Sequence, residues 1–268
     1  MTPAHAAAAG LAAVGGVMSL VWMASVRRRD ASIVDIWWGP GFVLLAWLYC
    51  ALLGAFHPRP LLMAALLTAW GARLAWHISS RHRGAGEDRR YAAMRARHGA
   101  AFGWRSLFLV FWLQAALIWL IALPVLAASA SPNVPLGLLD VAGVLVFVSG
   151  FAIEAIGDRQ LRRFKATPAN GGKVLDSGLW LYTRHPNYFG DALLWWGLYL
   201  LVASTPAGRL TIASPALMTF LLMRVSGVAL LERDLRASKP GYAAYIERTP
   251  AFVPWFPRGR GDARPPRA

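Results

Sequence analysis

Residues 134–156 read VPLGLLDVAGVLVFVSGFAIEAI, and the basic run GDRQLRRFK follows at residues 157–165. A helix needs about 20 mostly apolar residues to cross a bilayer, so this stretch predicts a membrane span that ends at a positively charged loop. Six further stretches are apolar over a similar length, at residues 4–26, 33–56, 60–79, 106–128, 186–203 and 210–231. We therefore predict an all-α, polytopic membrane protein with about seven transmembrane helices.

The composition agrees with a membrane protein and excludes several other classes. Hydrophobic residues make up 57% of the 268 residues and charged residues only 15%, whereas about a quarter of the residues of a soluble domain are charged. The 13 Trp, 12 Phe and 7 Tyr residues exclude a disordered chain. The single cysteine, Cys50, excludes a disulfide framework and a cysteine-based metal site, and we predict no metal.

The positive charges predict the orientation. If the N-terminus lies outside, residues 27–29, 81–105, 157–185 and 232–268 face the cytoplasm and carry three, seven, six and eight lysines and arginines, 24 of the 28 in the chain. This is the pattern of the positive-inside rule, and it places the C-terminus in the cytoplasm. The net charge of +15 then reflects topology, and we expect no nucleic-acid partner. The many alanines, and arginine in preference to lysine, are typical of a bacterial inner membrane.

A few ionisable side chains lie inside the apolar stretches, where each costs several kcal/mol unless it is paired or faces a cavity. Asp35 precedes Gly39–Gly41, a stretch that favours a helix break. Arg73 and His77 are four residues apart and therefore share one face of a helix. These residues indicate either a polar pocket or interhelical ion pairs, such as Arg73 with Glu154 or with Asp35.

The most specific motif is RHPNYFGD at residues 184–191, which resembles the signature of the steroid 5-alpha-reductase-like membrane proteins, in particular a bacterial branch known as a domain of unknown function. The stretches VDIWWG at 34–39 and GEDRRY at 86–91 resemble the same branch. The resemblance covers roughly residues 30–257. It implies a seven-helix membrane reductase that takes a hydride from NADPH entering from the cytoplasm.

The residues that match the family's cofactor-binding positions are mostly cationic or hydrogen-bonding, as a dinucleotide phosphate requires. They are Asp158, Arg162, Lys165, Lys173, Asn187, Asp191 and Tyr242, to which the motif adds Arg184 and Tyr188. No Gly-x-Gly-x-x-Gly sequence is present, which argues against a Rossmann domain. Six basic residues against Asp158 and Asp176 in the 157–185 loop favour NADPH over NADH, although either aspartate would suit the ribose hydroxyls of NADH.

In the steroid reductases a glutamate and a tyrosine on neighbouring N-terminal helices polarise the carbonyl of the enone. The comparable places here hold Asp35 and His77, which we predict as alternative proton donors. The substrate pocket is predicted to include Trp38, Arg73 and Gln114, although an interhelical hydrogen bond is the better interpretation of Gln114. The expected reaction is reduction of a carbon–carbon double bond conjugated to a carbonyl, in a lipophilic substrate.

We expect one membrane domain over residues 1–257. Residues 1–130 would supply the helices of the substrate pocket, and residues 131–257 the helices and loops that bind the cofactor. The arginine-, glycine- and proline-rich residues 258–268 are predicted to be a disordered tail. Membrane lipid and a lipophilic small molecule are the expected partners.

Two alternatives stay open. The C-terminal half also resembles the isoprenylcysteine and phospholipid methyltransferases, which use S-adenosylmethionine and share the motif of residues 184–190 and a Tyr-x-x-Tyr segment, here Tyr242–Tyr245. Those enzymes usually carry paired glutamates where this chain has Glu232-Arg233. The third possibility is a transporter or a non-catalytic scaffold, because intramembrane charges also mark ion paths.

Overall fold

The structure is a computed structural model that describes residues 1–84, 86–225, 228, 232, 235–236 and 238–258. Within these residues the chain is helical and contains no strand. The helices are α1 Pro3–Arg28, α2 Ile33–Ile36, α3 Trp38–Leu53, α4 Pro58–His82, α5 Arg89–His98, α6 Phe102–Ser106, α7 Leu113–Ile121, α8 Leu123–Ala130, α9 Leu138–Ala166, α10 Pro186–Leu200, α11 Pro206–Arg209, α12 Ala213–Phe220 and α13 Tyr242–Arg248.

Four helices of the described chain are long and apolar enough to cross a membrane: α1, α4, α9, and the continuous helix Arg89–Ile121, which runs from α5 to α7. At 1.5 Å per residue, the 16-residue apolar helix α3 is only about 24 Å long, short of a hydrocarbon core of about 30 Å. The expectation of an all-α fold is thus confirmed for the described residues, and the four long apolar helices are consistent with an integral membrane protein. The count of seven spans and the orientation stay predictions.

Three predicted boundaries are wrong. The loop expected over residues 81–105 is largely helical, because Asp88 caps α5 by accepting a hydrogen bond from the backbone N–H of Arg90. The span expected over residues 33–56 is interrupted at Trp37, which separates α2 from α3. The helix break lies before Gly39–Gly41 and leaves Asp35 outside α3.

The predicted span over residues 106–128 is also divided. The long helix ends at Ile121, and α8 begins at Leu123 with Pro124 in its first turn. Proline lacks a backbone N–H, so it is tolerated at a helix start and interrupts a helix interior. The break therefore follows from Pro124.

The chain forms two compact units. Unit 1 comprises Met1–Leu138 and Leu201–Ser214, and unit 2 comprises Leu139–Leu200 and the chain from Pro215 onwards. The assignment of residues 1–130 to the substrate pocket and of residues 131–257 to cofactor binding stays a prediction.

In unit 1, tryptophan side chains join α1 to the long helix Arg89–Ile121. The indole N–H of Trp22 donates to the carbonyl of Gly103 at 2.8 Å, and that of Trp119 donates to the carbonyl of Ala7 at 2.8 Å. Indole N–H groups need such acceptors when they are removed from water. These bonds fix the pairing of the two helices at two well-separated points, Ala7 and Trp22 on α1 and Gly103 and Trp119 on the long helix.

In unit 2, α9 and α10 meet through glycines. A Cβ atom added to Gly150 would lie 2.6 Å from the carbonyl oxygen of Gly190, and one added to Gly197 would lie 2.7 Å from the carbonyl oxygen of Gly143. Small residues at a helix interface let the two backbones approach closely. This approach sets the position of the first turn of α10, which carries the 184–191 motif.

We expect Gly150→Ala to lower the thermal unfolding midpoint of the protein in detergent, because the added methyl group collides with the backbone of α10. Overpacking of this kind costs about 1–3 kcal/mol. Gly15→Ala is the matched control, since a Cβ there meets no atom within 4 Å; it should leave the midpoint unchanged or raise it. Equal midpoints for the two variants would contradict the close packing.

Candidate functional site

In unit 1 the carboxylate of Asp35 joins two of the motifs singled out in the sequence. Its Oδ2 accepts a hydrogen bond from Nη2 of Arg90 at 2.8 Å, and its Oδ1 accepts one from the hydroxyl of Tyr91 at 2.7 Å. The 86–91 stretch therefore folds onto the 34–39 stretch. Tyr91 is buried, and the Asp35 side chain is 22% exposed.

A second set of contacts holds this arrangement in place. Arg95 donates two hydrogen bonds to the carboxylate of Glu87, at 2.8 and 2.9 Å, and Glu87 also accepts from the backbone N–H of Ala31 at 2.8 Å. The hydrogen bond from Arg95 lowers the pKa of Glu87 below its ordinary value. The two residues thus tie α5 to the turn between α1 and α2.

The same turn is bound to the end of α4. Oδ1 of Asp30 accepts from the backbone and the hydroxyl of Ser32, and its Oδ2 lies 2.6 Å from Nε2 of His82. The hydroxyl of Ser32 in turn accepts from the backbone N–H of Asp88 at 2.9 Å. The segment that carries Asp35 is therefore held by the start of α5 and by the end of α4.

The other residues predicted for the substrate site lie on separate helices of unit 1. Arg73 and His77 are half-buried on α4, and Gln114 is half-buried on α7. Trp38 begins α3 and packs edge-on against Phe42, with ring centroids 5.5 Å apart. The hydrogen bonds described for the Asp35 carboxylate come from Arg90 and Tyr91, in place of the alternative pairing with Arg73.

Tyr91 is not among the site residues predicted from the sequence. The GEDRRY stretch is expected there to lie in a loop, and a loop predicts no distance to Asp35. The resemblance implies that a carboxylate and a tyrosine together polarise the carbonyl of the substrate. The need for a tyrosine beside the carboxylate is the signal that could have identified Tyr91.

In unit 2 the centre of the site is Arg184. Its guanidinium donates to both carboxylate oxygens of Glu232, at 2.7 and 3.1 Å, and to the carbonyls of Ile246 and Thr249, at 3.1 and 2.5 Å. Arg184 is only 7% exposed. The sequence predicts that Arg184 binds the cofactor, but protein groups accept hydrogen bonds from all three of its guanidinium nitrogens.

Glu232 also lies 3.1 Å from Nε2 of His185, a buried histidine whose ring stacks on that of Tyr188. Burial raises the pKa of Glu232, but the hydrogen bonds from His185 and Arg184 outweigh it and lower the pKa to about 2. The carboxylate is therefore ionised over the physiological range. Arg233, quoted with it in the sequence, lies outside the described residues.

Asn187, one of the polar residues predicted at the start of α10, has a partner on α9. The side-chain amide of Asn187 donates to Oδ1 of Asp158 at 3.0 Å, and Asp158 is buried. Asp191 is half-buried one turn further along α10. Tyr242 is buried in α13, where burial raises its pKa to about 12.

The predicted cations lie at the surface of unit 2. Arg162, Lys165 and Lys173 are exposed, as is Arg163. Arg163 lines a hollow of about 320 Å³ together with Gln160, Phe164, Thr167, Leu175, Ser177 and Gly178. These residues have the charge and the accessibility that a phosphate-bearing ligand requires.

A model of the family described as "Protein of unknown function (DUF1295)" matches residues 21–249. The chain belongs to this family. It is also 35% identical over 122 residues to the Delta(14)-sterol reductase of Ascobolus immersus, a match that covers 40% of this chain and 26% of that relative's length. No solved structure matches the chain.

A second relative is matched over most of both chains. The Schizosaccharomyces pombe protein named "Uncharacterized protein C594.04c" is 26% identical over 272 residues, which cover 88% of this chain and 76% of the relative. The resemblance is thus confirmed at the level of the family. The bacterial branch and the relation to the methyltransferases stay predictions.

We expect Glu232→Gln to destabilise the protein by about 3 kcal/mol, because it leaves the buried Arg184 without its counter-charge. The folded pKa of about 2 is below the unfolded value of about 4.3. The ion pair therefore stabilises the fold fully above about pH 4.3 and loses its contribution as the pH falls towards 2.

The measurement is the thermal unfolding midpoint in detergent between pH 7 and pH 3. The gap between wild type and Glu232→Gln should narrow towards pH 3, and Glu247→Gln, at an exposed position of α13, should match the wild type throughout. A gap that is independent of pH would show that the charge of Glu232 is not what stabilises the fold.

Proposed function

We propose that the protein is an NADPH-dependent membrane oxidoreductase that reduces a carbon–carbon double bond conjugated to a carbonyl in a lipophilic, steroid- or lipid-like substrate. The similarity to a sterol reductase and the helices of membrane-spanning length support this assignment. The observation that carries it is the contact between the Tyr91 hydroxyl and a carboxylate that Arg90 also binds.

The geometry favours Tyr91 as the proton donor. Asp35 accepts a hydrogen bond at each oxygen, and one of these bonds uses the single hydrogen of the Tyr91 hydroxyl. Burial raises the pKa of Asp35 above its ordinary value, although Arg90 and Tyr91 oppose this. We assign Asp35 to orienting Tyr91 and to returning a proton to it: once Asp35 has taken up a proton from solvent, it donates to the Tyr91 oxygen, and the phenolic hydrogen is then available to the substrate. Arg90, bound to Asp35 and Asp88, holds that carboxylate in position. His77 would then line the pocket, together with Arg73, Trp38 and Gln114.

Conjugate reduction adds a hydride to the β carbon and places negative charge on the carbonyl oxygen. A hydroxyl that donates a hydrogen bond to this oxygen stabilises the enolate as it forms. Protonation of the enolate at its α carbon then gives the saturated carbonyl product. The phenol of Tyr91 is suited to this oxygen, because it is buried and a tyrosine hydroxyl ordinarily keeps its proton at neutral pH.

NADPH, when bound, supplies the hydride. The residues of unit 2 fit such a group. Exposed cations suit its phosphates, and the amide of Asn187 uses one N–H on Asp158 and keeps its second N–H and its carbonyl for a ligand. We propose Arg162, Lys165 and Lys173 for the phosphates and Asn187, Tyr188 and Asp191 for the nicotinamide end. Asp158 positions Asn187, while Arg184 and Tyr242 support the site from the interior.

Cofactor binding separates the candidate classes. We expect the protein in nanodiscs to bind NADPH more tightly than NADH, and Arg162→Ala and Lys165→Ala to remove that preference, because an extra phosphate gains charge-assisted hydrogen bonds. Arg209→Ala, in unit 1, is the control. Binding of S-adenosylmethionine without NADPH would make the protein a methyltransferase, and binding of neither would favour a transporter or scaffold.

We further expect Tyr91→Phe to reduce turnover by 10²- to 10⁴-fold, the usual contribution of a general acid, with the NADPH dissociation constant unchanged. Asp35→Asn should also lower turnover, whereas Tyr199→Phe, a tyrosine on α10 outside the proposed site, should not. The substrate is to be found by lipid profiling of a deletion strain, as a mass increase of two hydrogens that disappears with the gene. Full turnover of Tyr91→Phe, with loss in His77→Ala, would make His77 the donor.

A further inference from the structure

The segment that follows α13 exposes large apolar side chains in unit 2. Val253, Trp255 and Phe256 are 63%, 71% and 73% exposed, and Tyr182, beside them, is 40% exposed. We call these four residues the aromatic platform. Exposed apolar surface that is contiguous and rimmed by polar groups marks an interaction site.

The platform is held in a defined position. The backbone N–H of Trp255 donates to the carbonyl of Tyr182 at 2.9 Å, and that of Arg184 donates to the carbonyl of Pro250 at 2.9 Å. The ring of Phe256 lies edge-on to that of Tyr182, at 6.2 Å between centroids. The exposed rings therefore belong to a fixed surface.

Two arginines flank the platform and share a cavity with it. Arg248 and Arg258 line a cavity of about 600 Å³ that Glu247 also lines, and Trp255 and Phe256 form part of its wall. The backbone N–H of Arg258 donates to the carbonyl of Arg248 at 2.9 Å, which keeps the two residues together. Arg248 also contacts Asp176 at 3.2 Å. The sequence that follows adds Arg260, Arg264 and Arg267 against Asp262.

The platform also lies close to a membrane-spanning helix. The indole N–H of Trp180 donates to the carbonyl of Gly157, and the side chain of Gln160 accepts from the backbone N–H of Leu179. Both acceptors lie on α9, where its apolar stretch gives way to the basic run at residues 159–165. For a membrane-spanning α9, this change from apolar to basic residues marks the level of the membrane–water boundary, where tryptophan and tyrosine are enriched.

We propose that the aromatic platform, with Arg248 and Arg258, binds anionic phospholipid. The rings reach the boundary between headgroups and acyl chains, and the phosphodiester is bound between the two arginines at the mouth of the cavity. The combination of aromatic and cationic groups distinguishes this surface from a purely apolar one, and a basic residue near a membrane adds attraction for anionic lipid. The inference does not depend on the reductase assignment.

The test places a fluorescent label on the platform. Phe256→Cys is made in a Cys50→Ala background, labelled with an environment-sensitive dye, and reconstituted in nanodiscs of phosphatidylcholine alone or with phosphatidylglycerol. Lipids that carry a nitroxide just below the headgroup act as quenchers. Ala169→Cys, at an exposed position of the turn Pro168–Asn170, is the matched control.

We expect the label at position 256 to be quenched and shifted to the blue, more strongly with phosphatidylglycerol, and the label at 169 to report water in both lipids. Arg248→Gln and Arg258→Gln should each weaken the preference for phosphatidylglycerol about fivefold. Equal quenching and equal emission wavelength of the labels at positions 256 and 169 would overturn the proposal. Equal quenching of the label at position 256 in the two lipids would do the same. A shift that requires NADPH would assign the cavity to the nucleotide instead.

If Cys50→Ala does not fold, the unlabelled protein gives the same answer. Phosphatidylglycerol added to detergent micelles should raise the thermal unfolding midpoint of the wild type, and Arg258→Gln should lose that increase while Arg209→Gln retains it. An increase of the same size in all three proteins would reject a specific site.

Discussion

An arginine that pairs with a carboxylate far away in the sequence organises each unit of the protein. Asp35 binds Arg90 in unit 1, and Glu232 binds Arg184 in unit 2. A carboxylate beside apolar helices is costly unless a cation and further donors neutralise it, so each pair draws together segments that are distant in the sequence. In unit 1 these are the 34–39 and 86–91 stretches. In unit 2 they are the start of α10 and Glu232, and the same arginine also binds carbonyls at Ile246 and Thr249, at the end of α13.

The two pairs differ in what they leave available for chemistry. Around Arg184 every guanidinium nitrogen is bound by protein and the residue is almost fully buried, which is the arrangement of a structural ion pair. Around Asp35 the carboxylate keeps some exposure and holds a tyrosine hydroxyl. A hydroxyl that exchanges its proton with a neighbouring carboxylate is what a conjugate reduction needs at the carbonyl oxygen. We therefore propose that the carbonyl oxygen of the substrate is protonated beside the less buried pair, Asp35 and Arg90.

The sequence predicted the helical membrane fold, because apolar stretches of about 20 residues have few alternatives in a bilayer. The sequence also singled out Asp35, because an ionisable side chain inside an apolar stretch is costly unless it is paired or faces a cavity. It did not predict the partner of Asp35, because Arg90 and Tyr91 lie in a polar stretch that reads as a loop until the cap at Asp88 makes it helical. The role of Arg184 was likewise out of reach, since its acceptors are 48 to 65 residues away in the chain.

Transfer of a hydrogen isotope from NADPH to a lipophilic substrate is the most direct measurement of the proposed hydride transfer. The protein in nanodiscs is incubated with a membrane lipid extract from the deletion strain and NADPH deuterated at C4 on one face of the nicotinamide or the other. We expect one of the two cofactors, and only one, to deliver a single deuterium to one lipid product, because a bound cofactor presents one face. Lipids free of deuterium with both cofactors, together with a lipid that gains a methyl group when S-adenosylmethionine is supplied, would contradict the proposed hydride transfer.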